Sequence, residues 1–297
     1  MTIMRTLTLA VAGALIPASA LAQAAPRRVY VDATGSSGRA VMDLSRDDFE
    51  ITERGEAREV ISAKLGQRPQ RIVLIVDSTD AIRQPLGVVR KALTAFLEVV
   101  NPELEMMLVT VAGTPQVRVQ PTLDRQQLVK SADNIFGTSG SNVMHRVIDD
   151  VFHRFAETTD HRPIFVVITC EGFESTQNIN PQQIAHVVDH FTARGGTLHA
   201  VRLSVPTSEQ TFRSGNLTDL PVSLMIGRGT GGAYTNISPV GLLEVLQRLA
   251  GIINVAYAST LNYQIEFADQ PAKGKKPIAP QVRASRQGIE LKAVSLP

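Results

Sequence analysis

Two short stretches of this chain are apolar at consecutive positions, Ile72 to Val76 and Ile164 to Ile168. Continuous β-branched and apolar runs of this kind are the pattern of strands buried on both faces. After the first, Leu86, Val89, Leu93, Phe96, Leu97 and Val100 fall at helical spacing, and Asn101-Pro102 stops them. Glu105–Val111 and Gln116–Gln120 read as strands around the turn Gly113-Thr114-Pro115. Asp124 starts a short helix, and Val143 to Phe155 is a second. After the second apolar run, Pro181 opens a helix that Gly195-Gly196 ends, followed by a strand at Thr197–Leu203. Leu242 to Ile253 is a long amphipathic helix. Alternating strands and helices predict an α/β fold, a doubly wound and mostly parallel sheet with helices on both faces, over residues 68–258.

The flanking segments follow a different period. Leu261, Tyr263, Ile265 and Phe267 alternate with polar residues, as in a half-buried strand. Val29 and Val31 alternate likewise. Ser45 to Asp48 reads as a capped helical turn, and Phe49–Ile51 and Val60-Ile61 flank a turn at Gly55. Val282 and Ile289–Leu291 are further short strands. Isolated hairpins are unstable in water. The segments 23–67 and 259–297 are therefore expected to pack together as one small β subdomain.

Residues 1–22 are expected to be a secretory signal peptide. Arg5 precedes the apolar run Leu7–Ile16, and Ala20-Leu21-Ala22 offers a cleavage site. The expected location is periplasmic or secreted, with no membrane span left after cleavage. Cys170 is the single cysteine, so no internal disulfide is expected, and its apolar setting marks a buried thiol. Lys and Arg number 30 against 28 Asp and Glu, a balance that excludes a nucleic-acid binder held by bulk charge. With 10 Phe, 4 Tyr and no Trp, the chain is poor in stacking platforms for bases or sugars.

Ligands of open α/β sheets sit beyond the carboxyl ends of the strands. Asp77 ends the first buried strand, within Asp77-Ser-Thr-Asp-Ala81, and Glu171 follows the second. Between them lies the hydroxyl-rich Gly137-Thr-Ser-Gly-Ser-Asn142, ahead of a helix. Carboxylates and hydroxyls on one edge suit a hard divalent cation, Mg²⁺ or Mn²⁺; equally, such residues serve as helix caps and turn formers.

These loops resemble those of von Willebrand factor type A domains. Asp77-Ser-Thr-Asp-Ala81 is similar to that family's Asp-x-Ser-x-Ser loop. Ser141 falls near the place of its second-loop Thr, and Thr169-Cys-Glu-Gly172 near its last-loop Asp-Gly. Leu44-Ser-Arg-Asp-Asp-Phe49 and Glu53-Arg-Gly55 resemble the leading segment of the VWFA-related acidobacterial branch. The resemblance implies a metal site on Asp77, Thr79, Ser141 and Glu171, and a non-enzymatic module whose protein partner completes the ion's coordination. This sequence departs at Ala81, which offers no oxygen, leaving water or Asp80 for that place; at Ser141, where Thr138 or Ser139 compete; and at Glu171, longer than Asp. Two other functions stay open: a metal-assisted hydrolase using Asp77 and Glu171, and a periplasmic assembly or chaperone-like factor.

Other patterns carry less. Gly227-Arg-Gly-Thr-Gly-Gly232 fits the dinucleotide fingerprint, but follows a helix and precedes a strand, the reverse of the required order. It is read as a helix terminator and turn. His186 and His190 stand four apart as a zinc pair would, without a clear third ligand, and are read as a solvated helix face. Arg283 and Arg286 are read as a solvated β edge.

Overall fold

The computed structural model describes residues 26–140, 144–157, 160–170, 181–204, 222–269 and 278–294. The expected signal peptide, Ser141 and Glu171 lie outside the described residues.

The strands are β1 (Arg27–Gly35), β2 (Phe49–Glu53), β3 (Glu56–Arg58), β4 (Val60–Gly66), β5 (Gln70–Asp77), β6 (Glu105–Ala112), β7 (Thr114–Thr122), β8 (Arg162–Cys170), β9 (Thr197–Leu203), β10 (Tyr234–Ile237), β11 (Asn262–Phe267), β12 (Gln281–Ala284) and β13 (Ile289–Val294). The helices are α1 (Leu86–Val99), α2 (Arg125–Asp133), α3 (Met144–Phe155), α4 (Pro181–Ala193), α5 (Val222–Gly229) and α6 (Leu242–Ser259).

Six strands form the central sheet, in the order β10-β9-β8-β5-β6-β7. Five run parallel, and β7 closes one edge antiparallel through the turn at Gly113. This is the doubly wound α/β sheet expected from the alternation. In β5, Ile72, Leu74 and Val76 face the layer of α1, α2 and α6, while Val73 and Ile75 face that of α3, α4 and α5. All five are fully buried, which is why the strand reads as a continuous apolar run. The chain moves from β5 outward to β6 and β7, then returns to place β8 on the other side of β5. The winding therefore reverses between β5 and β8, and ligands of open α/β sheets sit beyond the carboxyl ends of strands at such a point.

The remaining strands build a β subdomain from both ends of the chain. One sheet has the order β13-β1-β11-β4, the other β12-β2-β3. Val29, Val31, Phe49, Ile51, Tyr263, Ile265 and Phe267 share its core. The Tyr263 hydroxyl accepts from Leu44 N at 2.9 Å, fixing the segment ahead of the helical turn at Arg46–Asp48. Arg68 anchors the passage into β5. Its guanidinium donates to the carbonyls of Asp160 (2.8 Å), Arg194 (2.8 Å) and His161 (3.2 Å), and lies over the Tyr30 ring.

One expectation needs correction. Phe49–Glu53 pairs with Glu56–Arg58, not with Val60-Ile61, which belongs to β4 in the other sheet. Arg54 and Gly55, both at positive φ (54° and 82°), make the tight turn that sets this register. The last helix runs to Ser259, one residue past the expected domain boundary at 258. Arg286 is exposed, as read, and forms surface ion pairs with Asp43 at 3.1 Å and Asp48 at 3.4 Å. Among the described residues one helix, Pro239–Ser259, is long and apolar enough to cross a membrane. Leu242, Leu246, Leu249, Ala250 and Ile253 on it belong to the same buried cluster as the sheet and α1.

Candidate functional site

The site begins where β5 runs out of sheet. Asp77 is fully buried at the reversal point. Its Oδ1 accepts from Thr79 N at 2.9 Å, which tightens the turn after the strand. Its Oδ2 accepts from Cys170 N at 3.1 Å, on the neighbouring strand β8. The carboxylate thus joins the two strand ends. Burial and the nearby Asp77 carboxylate push the Cys170 thiol well above its usual range, so this thiol stays protonated and inert.

Thr79 is also fully buried, and its Oγ1 has no hydrogen-bond partner among the described residues. Thr169 repeats the situation. Its Oγ1 is buried and unpartnered, and it follows Ile168, the register partner of Val76, so it stands abreast of Asp77. Leaving a buried hydroxyl unpaired costs about 1–3 kcal/mol. Two such atoms beside a buried carboxylate mark a place where oxygen donors await a group.

The second loop docks tightly on the first. Thr138 N donates to Ser78 O at 2.8 Å, and Thr79 and Thr138 form a parallel bridge. Gly140 lies against β6, where an added Cβ would come within 2.8 Å of the Ala112 carbonyl. The competitors for the second-loop hydroxyl are engaged elsewhere. Thr138 Oγ1 donates to Ser78 O at 3.3 Å, and Ser139 Oγ to Asp80 Oδ2 at 3.2 Å. Asp80 does not turn in to replace the oxygen missing at Ala81; its other oxygen pairs with Arg83 at 2.7 Å. Of the expected donors, the structure brings Asp77 and Thr79 together, while Ser141 and Glu171 lie outside the described residues. Asp77 and the unpartnered Thr79 hydroxyl fit a hard, oxygen-seeking cation.

The Gly227–Gly232 stretch is a structural turn, as read. Thr230 Oγ1 accepts from Leu198 N (2.9 Å) and donates to Gly227 O (3.1 Å), stitching α5 to β9. His186 is exposed, as read, and His190 departs from expectation. His190 does not lie on a solvated face but packs against α3, beside Asp149 and His153. Helical spacing gave half of this group; its other half comes from a separate helix.

No family model and no curated protein matches the chain. Among solved structures it is similar to BatB from Bacteroides thetaiotaomicron, at 12% identity, covering 64% of this chain and 100% of that one, with a TM-score of 0.49. It is similar to a von Willebrand factor type A protein from Catenulispora acidiphila, at 10% identity, covering 92% and 74%, with a TM-score of 0.47. A third is the von Willebrand factor domain of the type V pili tip protein Mfa5 from Porphyromonas gingivalis, at 9% identity, covering 65% and 97%, with a TM-score of 0.46. Solved von Willebrand factor type A structures are thus among those this chain is similar to. That likeness does not extend to chemistry, which rests on this chain's own residues.

Proposed function

We propose that the chain is an exported, non-enzymatic protein-interaction module, whose binding face is the carboxyl edge of the central sheet. Asp77 and Thr79 form its floor; Ser141 and Glu171, the other donors that the resemblance implies, lie outside the described residues. The observation that supports this is one atom: Thr79 Oγ1, fully buried at the reversal point and unpartnered, next to a buried carboxylate. A bound Mg²⁺ or Mn²⁺ held by these residues would present a Lewis-acidic centre to a partner's carboxylate. In this reading residues 1–22 direct export, 68–258 form the binding domain, and 23–67 with 259–297 form the β subdomain.

A hydrolase at this edge would need a positioned base. The described histidine side chains sit elsewhere: His161 ahead of β8 at the opposite edge, His199 buried within β9, and His153, His186 and His190 on α3 and α4. The test is a calorimetric titration of the mature protein with Mn²⁺, alone and with a carboxylate-bearing peptide. Uptake that Asp77→Ala abolishes supports the reading. Turnover of ester or peptide substrates that depends on Asp77 would replace it with the hydrolase.

A further inference from the structure

Three side chains on two helices converge away from the Asp77 edge. Asp149 and His153 stand one turn apart on α3, and His190 faces them from α4. One ligand atom from each lies within 4.8 Å of the others. Asp149 Oδ1 is 3.4 Å from His153 Nδ1 and 3.8 Å from His190 Nδ1. Donors around a tetrahedral zinc ion, at about 2.0–2.1 Å from it, stand roughly 3.3 Å apart. Small side-chain adjustments would close the triangle on such an ion.

Unmet bonding points to the same place. Asp149 Oδ1 and His190 Nδ1 are both buried atoms, and neither has a hydrogen-bond partner among the described residues. An ordinary ion pair between them would show a hydrogen bond; at 3.8 Å there is none. Phe152 stacks on His190 with ring centroids 5.9 Å apart, fixing its plane. His153 Nδ1 donates to the Asp149 carbonyl at 2.8 Å, which leaves Nε2, 3.8 Å from Glu157 Oε2, as the ring's free nitrogen. His186, one turn back on α4, has its ring centroid 4.0 Å from that of His190 and supplies a further imidazole at the rim.

We infer that Asp149, His153 and His190 form a second metal site, selective for a divalent transition ion of the zinc class. Two imidazoles and one carboxylate suit Zn²⁺ over Mg²⁺ or Ca²⁺, which take oxygen donors. The ion would cross-link α3 to α4, the helices that follow the 137–142 loop and the 171–180 segment respectively. The inference does not depend on ion binding at Asp77.

The experiment uses the mature chain without a polyhistidine tag, titrated with Zn²⁺ by calorimetry and with Co²⁺ by visible absorption. The expected result is one equivalent of Zn²⁺ and a Co²⁺ ligand-field band. His190→Gln and His153→Gln should weaken binding by more than the roughly 10–100-fold that loss of an outer-shell partner causes. Asp77→Ala should leave it unchanged, which separates this site from the sheet edge. Circular dichroism checks that each variant folds, and Asp149→Asn is the mildest of the three ligand changes. No uptake by the unaltered chain, or uptake that survives both histidine substitutions in folded protein, would overturn the assignment.

Discussion

His199 gives the fold a built-in sensitivity to acid. It lies in the middle of β9 and is 8% exposed. Its Nδ1 accepts from Ala233 N at 3.0 Å, a bond that requires an unprotonated nitrogen. Burial first, and the Arg162 charge second, lower its pKa from 6.5 to about 4. Between those two values the unfolded chain binds a proton that the folded chain refuses. Stability therefore falls as pH drops through 6.5 and levels off below about 4. At about 1.4 kcal/mol per unit, the gap is worth on the order of 3 kcal/mol. His199→Asn keeps an acceptor near the same position but removes the titration. Burial lowers His161 and His190 in the same direction, and His153 is raised by the Asp149 carbonyl and nearby acids. Those contributions are common to both proteins and cancel in the difference. Urea denaturation of both from pH 7.5 to 4.5 reads that difference. The original chain should lose about 2–3 kcal/mol more than the variant over this range. Parallel stability curves would refute the reasoning.

Three further outcomes follow from the same geometry. Gly232→Ala should cost about 3 kcal/mol or more, because an added Cβ would sit 1.8 Å from the Leu198 carbonyl oxygen; a melting temperature within a degree of the original would contradict it. Arg68→Met should destabilise by about 3 kcal/mol or more, since three carbonyls lose their shared donor, and chemical denaturation measures this. Zn²⁺ at 100 times its dissociation constant should raise stability by about 2.7 kcal/mol, an increment absent from His190→Gln in a thermal-shift assay.

Much of the central sheet was legible in the sequence because its strands are buried on both faces. Ile72–Val76 and Ile164–Ile168 left no ambiguity of period. Thr197–Leu203 was placed residue for residue, because glycines mark its start. The Glu56–Arg58 strand was missed since Glu-Ala-Arg carries no apolar alternation; the Arg54-Gly55 turn, not its composition, makes it a strand. At the candidate site, Asp77 was found from its place at the end of a buried strand, and Thr79 from the resemblance of its loop to the von Willebrand factor type A pattern. The engagement of Asp80 by Arg83 and Ser139 was not legible, since it depends on how two distant loops dock. The same holds for Asp149 and His153: helical spacing finds partners along one helix and none across two.

The central claim, that the Asp77–Thr79 edge exists to bind, is tested most directly by Thr79→Val. The side chains have nearly the same shape, and the lost hydroxyl has no partner. If the edge serves only the fold, removing an unpaired buried hydroxyl should be neutral or stabilising and change nothing else. The measurement is Mn²⁺ uptake by calorimetry, with and without a carboxylate-bearing peptide, paired with urea denaturation of the same samples. The account predicts stability equal to or above that of the original chain, together with loss of ion and peptide binding. Binding that survives the substitution in folded protein would contradict it.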